Sequence, residues 1–119
     1  MIKRTKLTFC FDIDNTFCKT KGNQYEQSKP VHNAIKTINR LYENGHTIKI
    51  FTARYMGKFN GDIEKVYSFG YDSTLNQLRN WNLKFNKLVM GKVEYDIFID
   101  DKNLDYKVEV NKFSSLTKN

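Results

Sequence analysis

The chain has 119 residues, enough for one domain with its own core and too few for a separate substrate-binding domain. Its 20 Lys and Arg against 13 Asp and Glu give a net charge of +7, but the basic residues are scattered, which disfavours a dedicated nucleic-acid-binding role. No apolar run reaches membrane-spanning length and the N-terminus lacks a signal-peptide core, so we expect no membrane partner and a cytoplasmic location.

The first predicted strand covers residues 7–10 and runs directly into an acidic turn. Asp12 and Asp14 would point towards one opening there, because alternate side chains of an extended chain share a face. Two carboxylates that close repel each other, and a hard cation such as Mg²⁺ relieves the repulsion. The alternative is a turn that caps the next element, since Asp, Asn and Thr are all common turn residues.

Residues 18–29 are polar and lack helical periodicity, which predicts a loop or short hairpin beside the first strand. A helix should follow, opened by Pro30 and closed by Gly45. Its buried stripe would consist of Val31, Ile35, Ile38 and Leu41.

The second predicted strand, residues 48–51, ends in Thr52-Ala53-Arg54. The stretch from Tyr55 to Gly70 alternates glycines with a short helical segment at residues 62–67. A second helix is predicted at residues 72–81, with Asp72 or Ser73 as its cap.

The third predicted strand, residues 87–90, precedes Gly91-Lys92, and a fourth, residues 95–99, precedes Asp100-Asp101. Residues 106–110 alternate well enough for a fifth strand at a sheet edge. In an open parallel sheet, ligands bind outside the carboxyl ends of the strands, so the polar residues at these ends should converge.

This order of residues resembles the haloacid dehalogenase (HAD) superfamily of phosphatases: Asp-x-Asp-x-Thr from Asp12 to Thr16, then Thr52, then a Lys, then Asp100-Asp101. The narrower likeness is to small capless phosphatases of capsule or polysaccharide biosynthesis. It rests on Phe51-Thr52-Ala53-Arg54, Met90-Gly91-Lys92 and Tyr95-Asp96-Ile97-Phe98-Ile99-Asp100-Asp101-Lys102.

The resemblance runs from about Lys6 to Asn103. It implies a single α/β domain over residues 1–119, with a Rossmann-like, three-layer fold, a mostly parallel sheet of about five strands and no cap domain. Asn15 departs from the family, in which many members have Gly. Asn tolerates a left-handed backbone, so we expect the turn to be intact.

The resemblance also implies Mg²⁺-dependent hydrolysis of a phosphomonoester through a phosphoaspartyl intermediate. Asp12 would be the nucleophile, and Asp14 would protonate the leaving oxygen and later accept a proton from water. The Asp12 and Asp100 carboxylates and the main-chain carbonyl of Asp14 would hold Mg²⁺. Asp101 would orient a ligand or the lysine.

The Thr52 hydroxyl and backbone amides near Ala53 are expected to bind a phosphate oxygen. Lys92 is the expected phosphate-site lysine because it follows the third strand, whereas Lys87 starts that strand and should lie at the opposite sheet edge. Thr16 would fasten the loop beside the bound phosphate.

Arg54 has two interpretations: it clamps an anionic part of the substrate, or it pairs with a neighbouring carboxylate such as Asp62. Residues 18–29 would be the flap over the phosphoryl group. Without a cap, selectivity would come from this flap, from neighbouring subunits of a homo-oligomer or from a large substrate.

The expected substrate is a small sugar phosphate or a related metabolite of polysaccharide synthesis, and nucleotides stay open as an alternative. A rival from another class is a phosphoacceptor receiver domain, which also places carboxylates, Thr or Ser and Lys around Mg²⁺. In a receiver, the phospho-accepting Asp follows a middle strand and Lys comes last. Here Thr52 follows the middle strand and the acidic pair comes last, which favours a phosphatase.

Overall fold

The computed structural model describes residues 5–103. Its elements, in chain order, are strands β1 (Thr8–Phe11), β2 (Cys18–Lys19) and β3 (Lys29–Pro30), helix α1 (His32–Glu43), strand β4 (Thr47–Thr52), helix α2 (Ile63–Asn80) and strand β5 (Lys87–Met90). No cap domain is inserted between these elements. Neither helix of residues 5–103 combines the length and the apolarity that a membrane crossing requires.

Three of the strands form one parallel sheet in the order β1-β4-β5. Phe11 lies beside Ile50 at one junction and Thr52 lies beside Met90 at the other. The carboxyl ends of all three strands therefore lie at the same edge, as the sequence predicted. Strands β2 and β3 pair separately as a short antiparallel hairpin, which confirms the predicted hairpin.

One face of the sheet carries the core. Ile48, Ile50 and Leu88 are buried, whereas their neighbours Lys49 and Lys87 on the opposite face are exposed. The two crossovers, β1-α1-β4 and β4-α2-β5, each join neighbouring parallel strands and move across the sheet in the same direction. Because such crossovers are right-handed, both helices lie on the same face of the sheet. Residues 5–103 thus form two layers, and the expected third layer is not seen among them.

Helix α1 buries Ile35, Ile38 and Leu41, as its apolar spacing predicts. The expectation that Pro30 opens it was wrong, because Val31 is the N-cap and Pro30 belongs to β3. Pro is tolerated in this short edge strand because an edge position does not require its missing N–H.

Helix α2 is continuous, so the prediction of two separate helical segments was wrong. It begins after Asp62, whose carboxylate accepts a hydrogen bond from the Lys65 amide at 3.3 Å, as an N-cap does. Gly70 lies inside the helix, and a Cβ there would collide with the Tyr55 ring. The missing side chain makes room for packing rather than ending the helix.

The fourth predicted strand is not formed. Residues 95–99 have no regular secondary structure, and Ile97 and Ile99 are 78% and 88% exposed. After Gly91, with φ +91°, the Lys92 amide donates to the Thr52 carbonyl at 3.1 Å, so the chain stays above the end of β4. The sheet therefore has three strands within the described residues. The fifth predicted strand, at 106–110, lies outside them.

Candidate active site

The loops that follow β1, β4 and β5 meet at the carboxyl edge of the sheet. The predicted site residues brought together there are Asp12, Asp14, Thr16, Thr52, Ala53, Arg54 and Lys92. Two ion pairs connect the loops, one between Asp12 and Lys92 and one between Asp14 and Arg54. The convergence inferred from the strand ends is therefore present for the loops after β1, β4 and β5, whereas Asp100 and Asp101 do not join it.

Asp12 is half-buried, with 30% of its side chain exposed. Its Oδ1 lies 3.8 Å from Lys92 Nζ, and its Oδ2 accepts a long hydrogen bond of 3.5 Å from the Thr16 hydroxyl. Burial raises the pKa of the Asp12 carboxyl above its usual range, and the charge of Asp14 adds to the rise, although Lys92 opposes it. The fold thus holds a destabilised carboxylate at this position.

This shift predicts a stability effect of Asp12→Asn in the absence of divalent cations. A carboxyl with a raised pKa in the folded state stabilises the fold below its unfolded pKa, and that contribution is lost as the pH rises through the folded pKa. Asn imitates the protonated form, so it should raise the free energy of unfolding at neutral pH and leave it nearly unchanged in acid. Urea unfolding at both pH values measures this.

The control for that experiment is Asp72→Asn, which alters an exposed carboxylate on α2. Equal or lower stability of Asp12→Asn at neutral pH would contradict the stated effect of burial.

Lys92 is buried, and the structure places it, not Lys87, beside Asp12. Its ammonium donates to the Tyr95 hydroxyl at 2.9 Å and lies 4.9 Å and 5.0 Å from the ring centres of Tyr95 and Phe98. These ring faces stabilise a cation in a site with little water. Lys87, in contrast, is an exposed residue at the start of β5.

Thr52, at the end of β4, is hydrogen-bonded to the loop that follows β4 and to the loop that follows β5. Its hydroxyl is buried and accepts a hydrogen bond from the Arg54 amide at 3.1 Å, while its carbonyl accepts one from the Lys92 amide. A hydroxyl that accepts in this way still has its own hydrogen to donate. Ala53, between Thr52 and Arg54, is half-buried on the same turn.

Arg54 pairs with a carboxylate, but the partner is Asp14. Its Nε lies 2.9 Å from Asp14 Oδ2, and its Nη2 lies 2.9 Å from Asp14 Oδ1. Asp62, the partner that the sequence suggested, caps α2 instead. With only 2% of Arg54 exposed, its guanidinium is not open to a substrate in this conformation.

The β2–β3 hairpin is fastened to the same carboxylate. Asn15, with φ +62°, has the left-handed backbone expected of it, and its side chain accepts a hydrogen bond from the Thr20 amide at 3.0 Å. The Thr20 hydroxyl donates to Asp14 Oδ1 at 2.6 Å and also meets the Ser28 hydroxyl at 2.6 Å. The predicted position of the hairpin beside the site is therefore correct.

The structure adds residues that the sequence analysis did not select: Thr20, Tyr25, Gln77, Tyr95 and Phe98. The sequence alone could have pointed to Tyr95 and Phe98, because they follow Lys92 by three and six residues. It could not have pointed to Gln77, which lies on α2 and contacts Arg54 only because of the fold.

The predicted metal site is incomplete among residues 5–103. Asp100 and Asp101 are exposed, and no three His, Cys, Asp or Glu side chains of the described residues lie close enough to hold a metal ion. Asp100 instead accepts a hydrogen bond from the Lys102 amide at 3.1 Å. It follows that the expected placement of Asp100 beside Asp12 depends on a strand at 95–99 that is not formed here.

No family model matches the sequence, and no curated protein matches it. Among solved structures, the fold is similar to the crystal structure of a structural-genomics target from Vibrio cholerae, with a TM-score of 0.80 and 20% sequence identity. The alignment covers 95% of this chain and 97% of that one. At this identity the likeness establishes that the two chains share a fold over nearly their whole lengths.

Proposed function

We propose that this protein is a HAD-type phosphatase that hydrolyses a small phosphomonoester through a phosphoaspartyl intermediate. The observation that carries the proposal is the pair formed by Asp12 and the buried Lys92, 3.8 Å apart at the carboxyl edge of a parallel sheet. A phosphoryl group needs an in-line nucleophile and fixed positive charge against its oxygens, and this pair supplies both.

In the first step, a carboxylate oxygen of Asp12 attacks phosphorus, and the bond from phosphorus to the leaving oxygen breaks. Asp14, which takes up a proton from solvent or from the substrate monoanion before this step, gives that oxygen the proton. In the second step, water attacks the phosphoryl group on Asp12, its proton passes to Asp14, and the phosphoaspartyl bond breaks. Lys92 and the Thr52 hydroxyl stabilise the negative oxygens in both steps.

Oδ2 is the oxygen of Asp14 that suits this proton transfer. Oδ1 already interacts with the Thr20 hydroxyl and with Arg54, whereas Oδ2 receives only the Arg54 Nε–H from the residues that the structure describes. A carboxylate oxygen has two lone-pair sites, so Oδ2 keeps one for the proton.

Mg²⁺ belongs to the proposal as a cofactor. Asp12, the Asp14 main-chain carbonyl and Asp100 would hold it, and when bound it would neutralise charge between the nucleophile and the phosphoryl oxygens. Asp12 suits this role, whereas Asp100 is exposed and would have to move towards Asp12 to share it.

The substrate that we propose is a sugar phosphate or a related metabolite of polysaccharide synthesis. The test is phosphate release from a panel of sugar phosphates and nucleoside monophosphates, each with Mg²⁺ and with EDTA. We expect Mg²⁺-dependent release from at least one substrate. Folded protein that releases phosphate from none of them would overturn the proposal, and selective release from nucleotides would replace the substrate class.

Asp14→Asn should separate the two steps of the reaction. With para-nitrophenyl phosphate, whose leaving group needs little protonation, Asp12 should still be phosphorylated while hydrolysis of the phosphoenzyme slows by about a hundredfold or more. Intact-mass measurement should then find one added phosphoryl group. The absence of any phosphoenzyme in this variant, at every time sampled, would argue against the covalent route.

A further inference from the structure

Arg54 is a buried cation, and each of its three guanidinium nitrogens donates a hydrogen bond to a protein group. A buried guanidinium requires a charged partner and hydrogen-bond acceptors, and Asp14 supplies both through Nε and Nη2. This two-pronged contact fixes the plane of the carboxylate as well as its position. A lysine at the same place would provide the charge but not the plane.

Helix α2 holds the other side of the guanidinium. Arg54 Nη1 donates to Gln77 Oε1 at 2.6 Å, and the Gln77 amide nitrogen donates in turn to the Tyr25 carbonyl at 2.8 Å. The Tyr25 ring also covers the guanidinium, with its centre 5.1 Å from Cζ. Gln77 therefore joins Arg54 to the turn between β2 and β3.

These contacts act on the Asp14 carboxylate, because Gln77 and Tyr25 hold the guanidinium that binds it. Arg54 approaches it from β4, and the Thr20 hydroxyl approaches it from the hairpin. A proton donor must lie within hydrogen-bond reach of the leaving oxygen, and small misplacements of such a group are costly. A side chain held from two directions loses the rotational freedom that would misplace it.

We propose that Arg54, held in place by Gln77 and Tyr25, is a positioning residue that orients Asp14 Oδ2 towards the leaving-group oxygen. This inference rests on the proposed phosphatase activity. It replaces the substrate-clamp interpretation of Arg54, because nearly the whole guanidinium is turned towards protein groups.

The test is Gln77→Leu, which keeps the size of the side chain and removes both of its hydrogen bonds. Activity is compared on para-nitrophenyl phosphate, with a good leaving group, and on phenyl phosphate, with a poor one. We expect kcat for phenyl phosphate to fall about tenfold or more, kcat for para-nitrophenyl phosphate to fall less than about threefold, and KM to stay nearly constant. The matched control is Asn76→Leu, at the exposed neighbouring position of α2.

Arg54→Lys is the stronger variant, and it should show the same split with a larger loss, provided that it folds. A readout independent of activity is the exchange of the Arg54 Nε–H with solvent, followed by NMR. It should be slow in the wild-type protein and in Asn76→Leu, and faster in Gln77→Leu.

The possible results separate the two proposals. Equal losses on both substrates would overturn the positioning role and leave the phosphatase standing, because a merely structural defect does not depend on the leaving group. Rapid exchange of the Nε–H in the wild-type protein would overturn the contact itself. Wild-type protein that hydrolyses neither substrate, although its Nε–H is protected, would overturn the proposed function and the role of Asp14 with it.

Discussion

Asp12→Asn should lower kcat/KM by at least about a thousandfold on every phosphomonoester that the wild-type protein hydrolyses, as loss of a nucleophile does in other enzymes. The amide keeps the shape of the side chain and its place beside Lys92, but it cannot attack phosphorus and binds a hard cation poorly. Initial rates of phosphate release under saturating Mg²⁺ measure the loss.

The control for this loss is again Asp72→Asn, which removes an equal charge from the surface of α2. It should retain wild-type kcat/KM. Turnover by Asp12→Asn near the wild-type rate would refute the mechanism. Wild-type protein that is phosphorylated on Asp12 and keeps the phosphate for hours would instead indicate a phosphoacceptor domain of the receiver kind.

Lys92→Ala should lower kcat/KM by about a hundredfold or more, because it removes a preorganised positive charge from the phosphoryl site. Lys87→Ala, at the opposite end of β5, should change kcat/KM by less than about twofold, since this exposed side chain lies far from Asp12 along the strand. The two variants remove the same atoms, and their comparison isolates the position of the charge.

Lys92 is packed against Tyr95 and Phe98, so its loss also disturbs a local contact. Circular dichroism and thermal unfolding of both variants should establish that each is folded before the rates are compared. If Lys87→Ala proved the more damaging change, the assignment of Lys92 to the phosphoryl site would be wrong.

The sequence was most informative where a local pattern was enough. Apolar runs at 48–51 and 87–90 predicted β4 and β5, and the polar residues after each run predicted which edge of the sheet carries the site. Lys92 could be preferred to Lys87 for the same reason, because the direction of a parallel strand determines which end faces the site. These inferences need only strand direction and periodicity.

The sequence was least informative where distant segments compete or cooperate. The alternation of Tyr95, Ile97 and Ile99 is typical of a strand, yet in the described structure Tyr95 and Phe98 pack around Lys92 and the segment joins no sheet. Similarly, glycine disfavours a helix, yet Gly70 lies inside α2 and makes room for the Tyr55 ring. Both outcomes depend on tertiary contacts that local propensity does not contain.

Asn15 contributes to the first loop in two ways: its backbone conformation shapes the turn, and its side-chain hydrogen bond makes the loop more rigid. Glycine would adopt the same positive φ at no steric cost, but it has no side-chain oxygen to accept the Thr20 amide. An Asn-to-Gly exchange at this position would therefore keep the turn and loosen the hairpin without altering any group that reacts. In enzymes whose turnover is limited by opening of a covering loop, such an exchange shifts the balance between retention of the reactant and release of product. In the proposed phosphatase, residue 15 would thus adjust the rate of turnover without altering the groups that react.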